Sequence, residues 1–180
     1  MQRDDLIAHL AAGGRASYLF FWGHTPAPDG RVGKSCLSQW WPAPFTVDGR
    51  TYQTAEHWMM AAKADLFGDA ATRDAILAAA TPKAAKALGR QVAPYDDARW
   101  TAARYDAVVA GNLHKFGQHP ALGAWLLGTG DQVLVEASPV DPVWGIGLAE
   151  GDADAPHPAR WKGLNLLGFA LMDVRERLRA

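Results

Sequence analysis

TAEHWMMAAKADLF, residues 54–67, reads as a helix that places two opposite charges on its greasiest face. At about 100° per residue, Trp58, Met59, Met60, Ala62, Leu66 and Phe67 fall on one broad apolar arc. Glu56 and Lys63 fall near the middle of that arc, and His57, Ala61, Ala64 and Asp65 take the other face. A core helix normally keeps charge off its apolar stripe, because burying an unpaired ion is costly. The two side chains therefore either reach water or line a pocket. They lie two turns apart, about 10 Å along the axis. That is too far for a direct salt bridge but a suitable span for two groups gripping one small polar ligand. Each also has a purely structural explanation. Thr54 suits an N-cap, which puts Glu56 in the first turn where the helix dipole favours an acid. Lys63 can snorkel outward on its four-carbon stem.

Working outward, helices dominate. The spacing predicts helices over roughly 4–12, 70–79, 82–88, 97–116, 121–128 and 164–178, besides 54–67. SYLFFW (17–22) and QVLVEA (132–137) read as strands, and 45–53 as a hairpin turning at Asp48-Gly49. Residues 23–34 and 138–162 are rich in Pro, Gly and Asp and read as loops, and long loops in a compact domain often carry function. The strands are few and separated, so the pattern predicts an α+β fold, a predominantly helical single domain spanning 1–180 with a small β-sheet, not a regular βαβ winding.

Composition narrows the function classes. The chain has 180 residues, 49% apolar and 21% charged, enough for one domain with a real core. Its formal net charge of −1 gives no general basic field for DNA, although a local basic pocket stays open. The opening MQRDDLIAHLAAGG has no apolar signal core and no later segment is long enough to span a bilayer, so the expected location is the cytoplasm, without a membrane partner. The one cysteine, Cys36, fits a reducing compartment, and a nucleophilic role for it is less expected than an ordinary buried or loop thiol.

No P-loop, dinucleotide fingerprint, HExxH or CxxC is present, and His114 and His119 are poorly spaced for a shared metal. No metal and no cofactor are therefore expected. Glu136 ends a predicted strand, and Asp141 follows in ASPVDPVWGIG (137–147). A carboxylate leading into a Gly-rich loop can approach a ligand, but Asp141 alone suits a turn better than a catalytic role. Trp144 beside Gly145 and Gly147 suits a stacking platform next to close backbone, or simple core packing.

Read in order, FFWG, LSQWWPAPFTVDG, TAEHWMMAAKA, PKAAKALGR, KFGQHPALGAWLLGTGDQVLVEASPVDPVWGIG and WKGLNLLGFALMDVR resemble the NADAR family, over a core of about 17–178. The resemblance implies a mainly helical α+β domain that handles ribose phosphates or ADP-ribose, and metal-independent hydrolysis of N-glycosidic bonds. One branch of the family cleaves reactive phosphoribosylamino-pyrimidine intermediates of riboflavin biosynthesis. Another removes ADP-ribose from guanine bases in nucleic acid, through a lysine thought to form a Schiff base with the opened ribose. Carried over, the catalytic glutamate falls on Glu56, the helix lysine on Lys63 and the acid before the WG motif on Asp141. Arg90, Trp100 and Asn165 also match family positions. Many members read LSNF where this chain has Ser38-Gln39-Trp40 in LSQW, which keeps the amide and lengthens its reach. The extended segment from Gly23 to Cys36 suggests a pocket rim specific to some members.

The implied chemistry suits these residues. Glu56 is the expected general acid/base, Lys63 a nucleophile or electrostatic clamp, and Asp141 a sugar-orienting acid or base. Arg90 is a candidate phosphate ligand, and Trp22, Trp40 and Trp144 are candidate walls for base or ribose. The expected partner is a small ribose-phosphate substrate. Nucleic acid enters only if the chain is an ADP-ribosyl-guanine hydrolase, which needs an open basic entrance, for instance Lys34, Arg90, Arg104 and Lys115. A third alternative is a non-catalytic NAD- or ADP-ribose-binding module.

Overall fold

A computed structural model describes all of Met1–Ala180. The chain is α+β and mainly helical, with seven α-helices and four short strands. Instead of one small sheet, the strands make two separate two-stranded sheets. The chain divides into two compact units, residues 39–120 and residues 1–38 with 121–180.

The 39–120 unit opens with a hairpin, β2 (Phe45–Val47) and β3 (Arg50–Tyr52). Asp48 and Gly49 turn it with φ of 49° and 76°, the left-handed pair that a tight hairpin requires. Helix α2 (Ala55–Phe67) follows, with the Thr54 hydroxyl accepting from the His57 N–H and Gly68 ending it at φ 74°. Helices α3 (Ala70–Leu77), α4 (Pro82–Gly89) and α5 (Asp97–Gln118) are capped in turn by Asp69, Thr81 and Asp96. Helix α2 packs against α3, α4 and α5 and so lies at the centre of this unit. That position corrects the expected two-faced helix. His57, Ala61 and Ala64, expected on the outer face, are buried, and only Asp65 is fully exposed. A helix surrounded by others buries small residues on every side, and alanines give no directional signal.

The other unit contains α1 (Arg3–Ala11), β1 (Tyr18–Phe21), α6 (Pro120–Gly128), β4 (Val133–Glu136) and α7 (Leu166–Arg179). Strands β1 and β4 pair in parallel, Tyr18 opposite Val133 through Phe21 opposite Glu136. On the far edge of β4 no third strand is present. There Asn165, at φ 55° just before α7, donates from Nδ2 to the Leu134 carbonyl at 2.9 Å and accepts the Glu136 N–H on Oδ1 at 2.9 Å. A side-chain amide thus stands in for a strand's peptide and satisfies backbone groups that would otherwise be orphaned. Helix α7 then runs so close to β4 that a Cβ on Gly168 would collide with the Leu134 carbonyl. Arg175, buried on the same helix, donates to the Thr129 hydroxyl at 2.8 Å and the Gln132 carbonyl at 2.9 Å. No helix of the chain is long and apolar enough to cross a membrane.

Candidate active site

Glu56 is withdrawn from bulk water and Lys63 partly so. Glu56 is only 2% exposed, so it is not a first-turn acid reaching solvent. Its backbone N–H donates to the Gln39 carbonyl at 3.0 Å. This fills one of the donors that a helix start leaves open, and the Thr54 hydroxyl fills the next. His57 ties the same turn down. Its Nε2 lies 3.0 Å from the Ala79 carbonyl, which can only accept, so Nε2 carries the proton. In the neutral ring Nδ1 then accepts, and the Thr54 hydroxyl donates to it at 2.8 Å. Burial holds the His57 pKa below its ordinary value and keeps the ring neutral.

Lys63 does not snorkel freely. It is partly buried, and its Nζ donates to the Gly89 carbonyl at 2.8 Å. Gly89 is the last residue of α4, where unpaired carbonyls and the helix dipole favour a cation. A glycine is needed there, because a Cβ would press on Met60 of α2, 2.8 Å from its Cγ. The Lys63 ammonium also sits 4.3 Å from the centroid of the Tyr95 ring, and the Tyr95 phenol donates to Asp97 at 2.8 Å. Burial lowers the Lys63 pKa, and the charge of Asp97 opposes that in part. The result is an amine whose pKa lies below the ordinary lysine value, clasped by α4 and the start of α5.

The remaining expected site residues of this unit fall in different settings. Arg90 is exposed and directly follows Gly89, so it shares the helix end that holds Lys63. Trp40 is half-buried, whereas Trp100 is nearly buried within α5. Gln39, expected as a substrate ligand, is engaged inside the unit. Its amide is buried and paired both ways with Asn112 of α5, Nε2 to Oδ1 at 3.1 Å and Nδ2 to Oε1 at 3.3 Å. Lys115, a candidate for a basic entrance, is 0% exposed and cannot meet a nucleic acid there.

In the other unit, Asp141 accepts the N–H groups of Val143 and Trp144 on one oxygen at 2.9 and 2.8 Å. That is the turn role its sequence setting also allowed. It shapes the loop that brings Gly145 close to β4, where a Cβ would stand 2.9 Å from the Glu136 carbonyl and 3.0 Å from that of Asp141. Trp144 is half-buried beside it. Trp22, following β1, is 58% exposed, and Gly23 next to it has φ 81°. Ser38 is half-buried after a short 3-10 turn. Asn165 is fully buried, with Nδ2 and Oδ1 each bonded to β4, so it braces Glu136. Lys34, the other basic-entrance candidate here, is ion-paired with Glu150 at 2.8 Å.

No group of three or more His, Cys, Asp or Glu side chains converges as a metal site. Sequence reading missed Gly89, Tyr95, Asp97 and Asn112. Of these only Asn112 gave a signal: it sits between Val108 and Phe116 on one apolar stripe, the same anomaly that marked Glu56 and Lys63.

Comparison with known proteins agrees with this architecture. The NADAR domain model matches residues 20–179. The chain is 40% identical over 164 residues to N-glycosidase R617 of Acanthamoeba polyphaga mimivirus, covering 88% of this chain and 95% of that protein. It is 33% identical over 135 residues to N-glycosidase YbiA of Escherichia coli, covering 75% and 76%. The NMR structure of E. coli YbiA superposes with a TM-score of 0.71 at 30% identity, covering 92% of this chain and 86% of that one.

Proposed function

The chain belongs to the NADAR family, and from that membership we propose that it is a hydrolase acting on N-glycosyl bonds whose substrate is a small phosphoribosylamino-pyrimidine. The observation that carries the reading is the state of α2: a buried carboxylate on Glu56 and, two turns on, a desolvated amine on Lys63 held by Gly89 and Tyr95. Cleaving an N-glycoside leaves positive charge on the ribose ring and negative charge on the departing nitrogen. Glu56, as the acid, gives that nitrogen its proton as the C1′–N bond breaks, and as the base it then takes a proton from the water that adds to C1′. Lys63 as an ammonium clamps an oxygen of the ribose phosphate, and Arg90 at the same helix end suits the phosphate. As a neutral amine, Lys63 instead attacks C1′ itself, with the released base taking its electron pair and a proton, and water later cleaves the C–N bond. The Gly89 contact favours the first role in the resting enzyme. Asp141 shapes its own loop through the Val143 and Trp144 N–H groups.

The nucleic-acid alternative draws less support, because Lys115 is buried and Lys34 is neutralised by Glu150. The test is a parallel turnover assay with the pyrimidine ribotide and with ADP-ribosylated guanine in DNA. Release of the free aminopyrimidine, with slower or no cleavage of the DNA adduct, is the expected result. Cleavage of the adduct alone overturns the substrate, and tight ADP-ribose binding with turnover of neither makes the chain a binding module.

A further inference from the structure

We propose that Asn112 is a positioning residue for Glu56, acting through Gln39; the proposal rests on the catalytic reading of Glu56 above. Asn112 lies on α5, far from Glu56 in sequence, and is 0% exposed. Its orientation is fixed by chemistry. Nδ2 donates to the Val108 carbonyl at 2.8 Å, which can only accept, so Oδ1 faces Gln39 and receives its Nε2 proton. The second Nδ2 hydrogen goes to Gln39 Oε1, and the two amides close on each other. The Gln39 backbone carbonyl then takes the Glu56 N–H. A residue that enters this unit from a loop is thereby locked at its side chain by α5 and spends its carbonyl on the first turn of α2. A carboxylate that transfers protons tolerates little displacement, and a shift of about 1 Å can cost about a hundredfold in rate. The chain Asn112–Gln39–Glu56 is thus a route by which a buried amide on α5 sets the acid's place.

The test compares Asn112→Leu, Gln39→Met and the double variant Gln39→Asn/Asn112→Gln, which moves one methylene across the pair and keeps its span. Turnover of the pyrimidine ribotide is measured well below each melting temperature, with Val109→Ala as a core control on α5. Exchange of the Glu56 amide proton is followed by NMR in the same proteins. The expected result is a kcat at least tenfold lower in both single variants with KM within twofold, faster Glu56 exchange, and recovery of both in the double variant. Gln39→Met serves alone if Asn112→Leu does not fold. A wild-type kcat in Gln39→Met overturns the proposal, as does a loss matched by Val109→Ala at equal stability. If the unaltered protein turns over no N-glycoside, the catalytic reading fails. The positioning then stands or falls on whether Gln39→Met exposes the Glu56 amide.

Discussion

At Lys63 burial favours the neutral amine, while the Gly89 carbonyl, the Tyr95 ring and the charge of Asp97 favour the ammonium, and burial wins. The side chain therefore titrates below the ordinary lysine value of 10.5. Observed by NMR at the Lys63 Cε, the transition should fall below 10.5, and Asp97→Asn should move it lower still. A Lys63 transition at or above 10.5 would remove the amine from the nucleophilic role. The sign for stability follows from linkage: the unfolded chain binds the Lys63 proton more tightly, so the cost of folding with it charged fades as pH rises toward 10.5. His57 follows the same sign in a lower pH window. Its folded pKa is lowered from 6.5, so the unfolded chain takes up the proton first and stability is lost as pH falls below about 6.5. A melting series from pH 7.5 to 5 should show this loss in the unaltered protein and a smaller one in His57→Gln. Equal slopes would contradict the neutral-ring assignment.

Among the elements, local ones were legible and paired ones were not. Helix α2 begins at Thr54 and ends at Gly68 because cap chemistry acts within four residues, and the Asp48-Gly49 turn is equally local. The parallel pairing of β1 with β4 left no mark, since two four-residue apolar strands separated by the whole 39–120 unit carry no register signal. The same limit hid the structural role of Asn165. Its matching position suggested a ligand, but its amide completes the open edge of β4. Asn165→Ala strands a buried N–H and a buried carbonyl and places alanine at positive φ, which should cost roughly 2–5 kcal/mol in denaturant unfolding. A cost below about 1 kcal/mol would mean that water replaces the amide. Helix α7 sets a parallel constraint at Gly168, where any Cβ drives the helix off β4.

For the whole molecule, the near-balanced formal charge of −1 and the burial of Lys115 leave little to attract a polyanion, whereas the anomaly of charge inside α2 points inward to chemistry on a small substrate. That anomaly was visible from residue order alone; its resolution was not, because the Gly89 carbonyl and the Tyr95 ring come from other elements. The central claim is that the buried Glu56 performs the proton transfers of N-glycoside cleavage. Single-turnover rates of the unaltered protein and Glu56→Gln on the pyrimidine ribotide, taken with melting curves and ligand affinity, test it most directly. The account predicts a rate at least a hundredfold lower with fold and binding retained, on the order of 3 kcal/mol of transition-state stabilisation. A loss under tenfold would contradict it and leave Glu56 as a buried first-turn acid of α2.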